Sequence, residues 1–325
     1  MKFLKNLIVM AKQNKKNIVF PEASFSDRII KAVLYLKKHK IVNPILIGDE
    51  SSLFLRNKRL KNFTIINPKT FSHTKELANK LYEIRASKGM TFQQAEETIM
   101  DPFYFATMMV EAGYADGMVG GAEVSTAKNL RPALQILKND VDNFVNSYTI
   151  IVGKNTLTDN PFFMADCGLV ENPSSKQLSI IAKRVCEQMK KFTLLNPKVA
   201  FLSYSTYGSA ESENTAKMAE AQKEFSSLCP DVPSQGEIQL DAALIKNVAQ
   251  IKLGEKAKYY GGANVLIFPN LDSANICYKA ISYFGKLYAI GPITVGLKKP
   301  VNDLSRGATV KDIIYLTAIT ALQCK

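Results

Sequence analysis

Short apolar runs alternate along this chain with longer segments in which apolar residues recur every three or four positions. The run in "NIVFPEA" predicts a strand, and "SDRIIKAVLYLKKHK" predicts a helix with Ser26 as its N-cap. "NPILIGDE" reads as the next strand, and "TKELANKLYEIRASKG" as a long helix closed by Gly89. Thr91 opens "TFQQAEETIM" with a T-x-x-Q capping box, and Pro102 occupies the first turn of "DPFYFATMMVEAG", where its missing N–H is harmless. "ADGMVGGA" reads as a short buried strand running into a glycine turn. Further on, "SYTIIVG" and "PFFMADCGL" read as neighbouring antiparallel strands. Strand-like "KVAFLSYST", "ANVLIFPN" and "YAIGPITVG" then alternate with helical "SSKQLSIIAKRVCEQMKKF", "AESENTAKMAEAQKEFSSL" and "SANICYKAISYFG". "TVKDIIYLTAITALQ" forms the final helix. Strands alternating with helices of roughly 10 to 20 residues imply βαβ crossovers and a largely parallel sheet, so the expected fold class is α/β.

Length adds a domain count. At 325 residues the chain exceeds the usual single-domain size of about 150 residues, which suggests two domains. No apolar run reaches the length of about 18 residues needed to span a bilayer. "MKFLKNLIVMAKQNKK" has no small-residue cleavage site and reads as an amphipathic first helix, so a cytoplasmic location and no membrane partner are expected. The five cysteines are scattered without a C-x-x-C pair, which argues against a disulfide framework or a zinc site. The two histidines sit in polar surroundings, so a histidine base is not expected. The formal net charge of +13 invites a nucleic-acid reading, but the lysines are spread along helical segments without a basic block or interleaved aromatics. A solvated lysine-rich surface, or a small polyanionic substrate, accounts for the charge without a nucleic-acid partner.

Familiar catalytic signatures are missing. There is no P-loop, no strand-linked G-x-G-x-x-G, no H-E-x-x-H and no G-x-S-x-G. Polar residues cluster instead at the C-terminal ends of predicted strands, where open α/β sheets bind ligands. These stretches are "GGAEVSTAKNLRP" (120–132), "SYSTYGSA" (203–210), "FPNLDSAN" (268–275) and "VNDLSRG" (301–307). Each places small residues and hydroxyls before a helix, an arrangement that receives anions. Arg131 adds a guanidinium fork suited to phosphate. In "SRGATVKD", Thr309 and Asp312 are spaced as a capping box, Arg306 is near enough in sequence to pair with Asp303, and Gly307 suits a turn. The alternative reading makes Ser305 and Arg306 the holders of a phosphoryl group and Asp312 a proton acceptor.

The same stretch, "KPVNDLSRGATVKDIIYLTAITA", resembles the C-terminal signature of the phosphate acetyltransferases, also called phosphotransacetylases. "FPEA", "LYEIRASKGMT", "ADGMVGGAEVSTAKNLRPALQILK", "FFMADCGLVENPSSKQL", "VAFLSYSTYGSA", "GEIQLDAA" and "ANVLIFPNLDSANICYKA" agree in order. The resemblance runs from near residue 15 to the C-terminus and fits the short form of the family. It implies reversible acetyl transfer: acetyl-CoA and phosphate give acetyl phosphate and CoA. Coenzyme A is then a substrate, with no permanently bound cofactor and no metal. It also implies two α/β/α domains with mainly parallel sheets, similar to isocitrate and isopropylmalate dehydrogenases, an active site in the interdomain cleft, and usually a homodimer. On that pattern residues 1–148 plus 297–325 form domain I, and residues 149–296 an inserted domain II.

Carried over position by position, the resemblance makes Ser305, Arg306 and Asp312 the catalytic serine, arginine and aspartate base. Arg131 and Arg85 match phosphate-site arginines, and Ser125 and Thr126 a phosphate-contacting turn. Local alternatives are an ion pair of Arg85 with Glu83 and a helix N-cap at Ser125–Thr126. The implied chemistry is direct attack of the CoA thiolate in a ternary complex. Asp312 takes the thiol proton, Ser305 donates to the developing oxyanion, and Arg306, Arg131 and Arg85 neutralise the departing phosphate. Val124, Cys277 and "GPITVGL" depart from the family pattern, which leaves phosphate butyryltransferase, with a longer acyl chain, as the alternative. Cys167 matches a family cysteine but reads as a small buried apolar group.

Overall fold

A computed structural model describes residues 2–139, 144–153 and 160–324. The chain begins α1 (Lys2–Asn14), β1 (Asn17–Phe20), α2 (Asp27–Lys38), β2 (Asn43–Ile47), α3 (Glu50–Arg56) and β3 (Thr64–Ile66). It continues through α4 (Thr74–Arg85), α5 (Phe92–Thr98), α6 (Pro102–Ala112), β4 (Gly117–Gly120) and α7 (Thr126–Ile136). The middle of the chain supplies β5 (Asn146–Val152), β6 (Phe162–Ala165), α8 (Ser175–Phe192), β7 (Val199–Leu202), α9 (Glu213–Leu228) and β8 (Ser234–Ile238). α10 (Leu240–Leu244), α11 (Lys246–Leu253), β9 (Val265–Ile267), α12 (Leu271–Tyr283) and β10 (Tyr288–Val295) complete it. β11 (Val301–Asp303) and α13 (Val310–Gln323) end the chain.

These elements gather into two compact units, one built on Leu4–Val145 with Gly296–Lys325, the other on Asn146–Val295. In the first, a wholly parallel sheet runs β11-β4-β1-β2-β3. Every residue of β4 is buried, as expected for a parallel strand covered on both faces. α13 packs with α2 over the sheet, and α6 covers β1 and β4 while packing on α4 and α7. Phe20, Phe103 and Phe105 are among the largest fully buried side chains of this unit. In the second, the order is β10-β5-β6-β9-β7-β8. β5 pairs antiparallel with β6 and β10, while the remaining pairs are parallel. Its core holds Tyr148, Phe163, Phe201 and Phe225.

Local signals set the helix ends. Ser26 accepts from Ile29 N at 3.3 Å, and Thr91 with Gln94 closes a reciprocal capping box. α4 stops at Arg85 and tightens into a 3₁₀ turn over Ala86–Lys88. Gly89 then adopts φ +88°, the left-handed conformation that ends many helices. Among the described residues no helix is long and apolar enough to cross a membrane.

Candidate functional site

Because β11, β4 and β1 are adjacent and parallel, the loops leaving their C-terminal ends meet. These loops carry Glu22 and Ser26, Gly121–Ser125, and Leu304–Thr309. Two buried carboxylates organise them. Glu22 accepts the N–H groups of Ala122 at 2.8 Å and Glu123 at 2.9 Å. Burial raises the pKa of Glu22, and these amide bonds oppose the shift. Asp303 accepts from Thr126 Oγ1 at 2.6 Å and from Asn129 Nδ2 at 2.9 Å. Burial pushes Asp303 up to about 6 against those two hydrogen bonds, and the nearby Glu22 charge adds to the rise. Gly121 lies between them at φ +93°, and a Cβ there would come within 2.2 Å of Asp303 Oδ1. Only glycine fits both that conformation and that approach.

Arg28, on the first turn of α2, ties the loops together. Its Nη1 donates to the carbonyls of Arg306 at 2.8 Å and Ala308 at 2.7 Å. Its Nη2 donates to the Ala122 carbonyl and pairs with Glu123 Oε1 at 3.0 Å. Ser26 Oγ donates to the same Glu123 oxygen at 2.7 Å. Ser26 and Arg28 together hold the Glu123 carboxyl below its usual range, with burial opposing. Leu304 N closes the assembly on Gly120 O at 2.7 Å.

The residues singled out in the sequence fall around this framework. Ser305 is exposed, and its Oγ accepts from Gly307 N at 3.3 Å. Arg306 is exposed and does not pair with Asp303, whose oxygens are held by Thr126 and Asn129. Asp312 is half-buried at the start of α13. Its Oδ2 accepts from Thr309 N at 2.6 Å and Thr309 Oγ1 at 2.8 Å, so the capping box forms. Ser125 is the N-cap of α7, accepting from Lys128 N at 3.3 Å. The Thr126 hydroxyl is the one committed to Asp303.

Arg131, on α7, and Arg85, at the end of α4, both act electrostatically on Tyr104 of α6. The phenol of Tyr104 donates to Gln135 Oε1 at 2.7 Å. Burial raises the pKa of Tyr104, while the Arg131, Arg85 and Lys128 charges pull it down. Lys128 is paired with Asp101. Arg85, Arg131 and Arg306 have no carboxylate partner among the described residues, and the alternative of an Arg85 pair with Glu83 does not form. Arg85 Nε is moreover buried with no hydrogen-bond acceptor among the described residues. An unsatisfied buried donor of this kind is costly and is suited to an incoming acceptor.

Sequence reasoning passed over Arg28, Glu123 and the buried role of Glu22, since no local spacing marks them. In the second unit, two donors of the 203–210 loop are spent on a buried carboxylate. Ser205 Oγ and Gly208 N donate to buried Glu237 at 3.1 Å and 2.6 Å. Asn270 in the 268–275 stretch caps α12, accepting from Ser273 N at 2.9 Å. Cys167 is buried, and burial pushes its thiol far above the ordinary range, which suits an apolar filler rather than a nucleophile. Among the described residues no three His, Cys, Asp or Glu side chains converge as a metal-holding group.

Comparison with known proteins covers the whole chain. Residues 2–321 match the family described as phosphate acetyl/butaryl transferase. A phosphate acetyltransferase of Acetivibrio thermocellus is 44% identical, with 100% of this chain and 99% of that protein covered. A phosphotransacetylase structure from Streptococcus pyogenes superposes with TM-score 0.91 at 36% identity, covering 98% of each chain. At the level of fold alone, a putative 4-hydroxythreonine-4-phosphate dehydrogenase from Salmonella typhimurium gives TM-score 0.52 at 13% identity, covering 95% of this chain and 99% of that one.

Proposed function

This chain belongs to the phosphate acetyl/butaryl transferase family, and from that premise we propose that it is an acyltransferase that moves acetyl reversibly between coenzyme A and phosphate. The observation that carries the reading is the set of guanidinium groups without acid partners among the described residues, Arg85, Arg131 and Arg306, on the same unit as the exposed Ser305 hydroxyl. Cations left unpaired in this way are suited to an anionic substrate. Acetyl phosphate and CoA both carry phosphate.

In the proposed reaction the CoA sulfur attacks the carbonyl carbon of acetyl phosphate as a thiolate. Asp312 accepts the thiol proton. Ser305 donates to the oxygen on which negative charge develops. The bond from carbonyl carbon to phosphate oxygen then breaks, and phosphate leaves with its charge balanced by Arg306, Arg131 and Arg85. Thr126 supports this site indirectly, through Asp303, and Ser125 through the start of α7. Both substrates are held together, so no acyl-enzyme forms, and positioning supplies much of the rate. CoA enters as a substrate, and the reading asks for no resident cofactor. A cytoplasmic homodimer completes the proposal.

The test is thioester formation from acetyl phosphate and CoA by purified protein. Wild type is expected to be active, and Ser305→Ala to lower kcat by about 100-fold or more while remaining folded, as for loss of an oxyanion donor. If wild type forms thioester from neither acetyl nor butyryl phosphate, the reading fails. A higher kcat/KM with butyryl phosphate moves it to the longer acyl chain.

A further inference from the structure

The turn that carries Ser305 and Arg306 is held by a residue that lies far away in sequence. Arg28 is separated from Arg306 by 278 positions, yet Nη1 bonds the carbonyls of both Arg306 and Ala308. These carbonyls bracket Gly307, whose N–H rests on Ser305 Oγ at 3.3 Å. Ala308 N donates to Ser305 O at 2.8 Å. One guanidinium thus fixes the far side of a turn whose near side is Ser305 itself. The other edge of Arg28 grips Ala122 O and Glu123, in the loop that leads into α7 and Arg131. Its side chain is 29% exposed, and all three nitrogens face protein oxygens. Arg306, by contrast, has no acid partner among the described residues.

We propose that Arg28 is a positioning residue, which does not touch substrate but sets the shape of the Ser305–Ala308 turn and its registry with the start of α7. The inference rests on the function proposed above for that turn. A planar fork with donors on two edges can bond carbonyls of two loops at once, whereas the compact ammonium of lysine cannot span both. Charge alone does not meet the requirement.

Arg28→Lys and Arg28→Gln test this, read by amide hydrogen exchange and by kinetics. The lysine variant keeps the charge and the Glu123 pair, so it supplies a folded protein if the glutamine variant does not. Exchange at Gly307 and Ala308 is expected to rise by about tenfold in Arg28→Lys, the effect of losing one to two hydrogen bonds. With it, kcat falls by about 100-fold while KM for CoA and acetyl phosphate stays within about threefold, as expected when reacting groups are misplaced but still present. Unchanged exchange at the two amides overturns the anchoring. A raised KM at unchanged kcat also overturns it, because Arg28 would then be binding substrate. Should wild type form no thioester, the function falls, and the exchange data alone still decide whether Arg28 holds the turn.

Discussion

Asp303 shows how one side chain serves both fold and site. It is 2% exposed, and its carboxylate takes hydrogen bonds from α7 while only Leu304 separates it from Ser305. Burial of an ionised carboxylate is unfavourable unless such bonds compensate it, and here they do so only in part, since its pKa rises to about 6. A carboxyl with a raised native pKa binds its proton more tightly when folded than unfolded. Native stability from this group is therefore greatest at low pH and falls as pH climbs from about 4, the unfolded value, to about 6. Wild-type stability, followed by denaturant unfolding across that window, is expected to fall relative to Asp303→Asn by up to about 3 kcal/mol, the ceiling set by a shift of about two units. Glu22, also raised by burial, contributes in the same direction and keeps part of the slope in the variant. Parallel stability curves for the two proteins would place the Asp303 proton affinity near its solution value.

α13 poses the corresponding question for a whole element. Its first turn uses Asp312 to close a capping box on Thr309, and the proposed mechanism uses the same carboxylate as a base. The two roles separate by substitution. Thr309→Ala removes the hydroxyl from the box and is expected to cost about 1 kcal/mol, or about 2 °C in Tm for a chain of this size, with kcat changing little. Asp312→Asn retains an acceptor for Thr309 N but no proton acceptor, so kcat is expected to fall about 100-fold or more at nearly unchanged Tm. A fall in Tm alone would leave Asp312 a cap and put the base elsewhere. Elements like α13 are legible in sequence because caps and helical periodicity are local, as at Ser26, Thr91 and Thr309. β11, Val-Asn-Asp, is not, since Asn302 is buried through bonds to Thr320 at 2.8 Å and Gln323 at 2.7 Å. β8, Ser-Gln-Gly-Glu-Ile, is likewise buried at every position while lacking an apolar run. The site divides the same way. Ser305, Arg306 and Asp312 stand together in one stretch, and Arg131 stands out by type. Arg28, Glu22 and Glu123 become meaningful only when strands distant in sequence lie side by side.

At the scale of the molecule, 42 basic residues face 29 acidic ones, and the source of any attraction for a polyanionic substrate has to be decided between that diffuse surplus and a few local charges. Exposed charges more than about 10 Å apart are largely screened at 0.1 M salt, and many surface lysines here are spread along separate helices. Arg131 differs because it has no acid partner among the described residues and shares the neighbourhood of Tyr104 with Arg85. If local charge governs recognition, KM for acetyl phosphate rises with ionic strength in wild type while kcat changes little. Arg131→Gln should then raise KM by about 10-fold or more, the worth of a lost charged hydrogen bond, and flatten the remaining salt dependence. A variant with the wild-type salt slope would assign the attraction to the diffuse surplus and remove Arg131 from phosphate recognition. The same assay tests the nucleic-acid alternative, because duplex DNA bound through many phosphates would inhibit at low salt with a steep dependence on added salt. The local-charge account expects DNA to leave the rate unchanged at physiological salt, since a few unpaired guanidinium groups match a few phosphate oxygens and offer no track for a polymer.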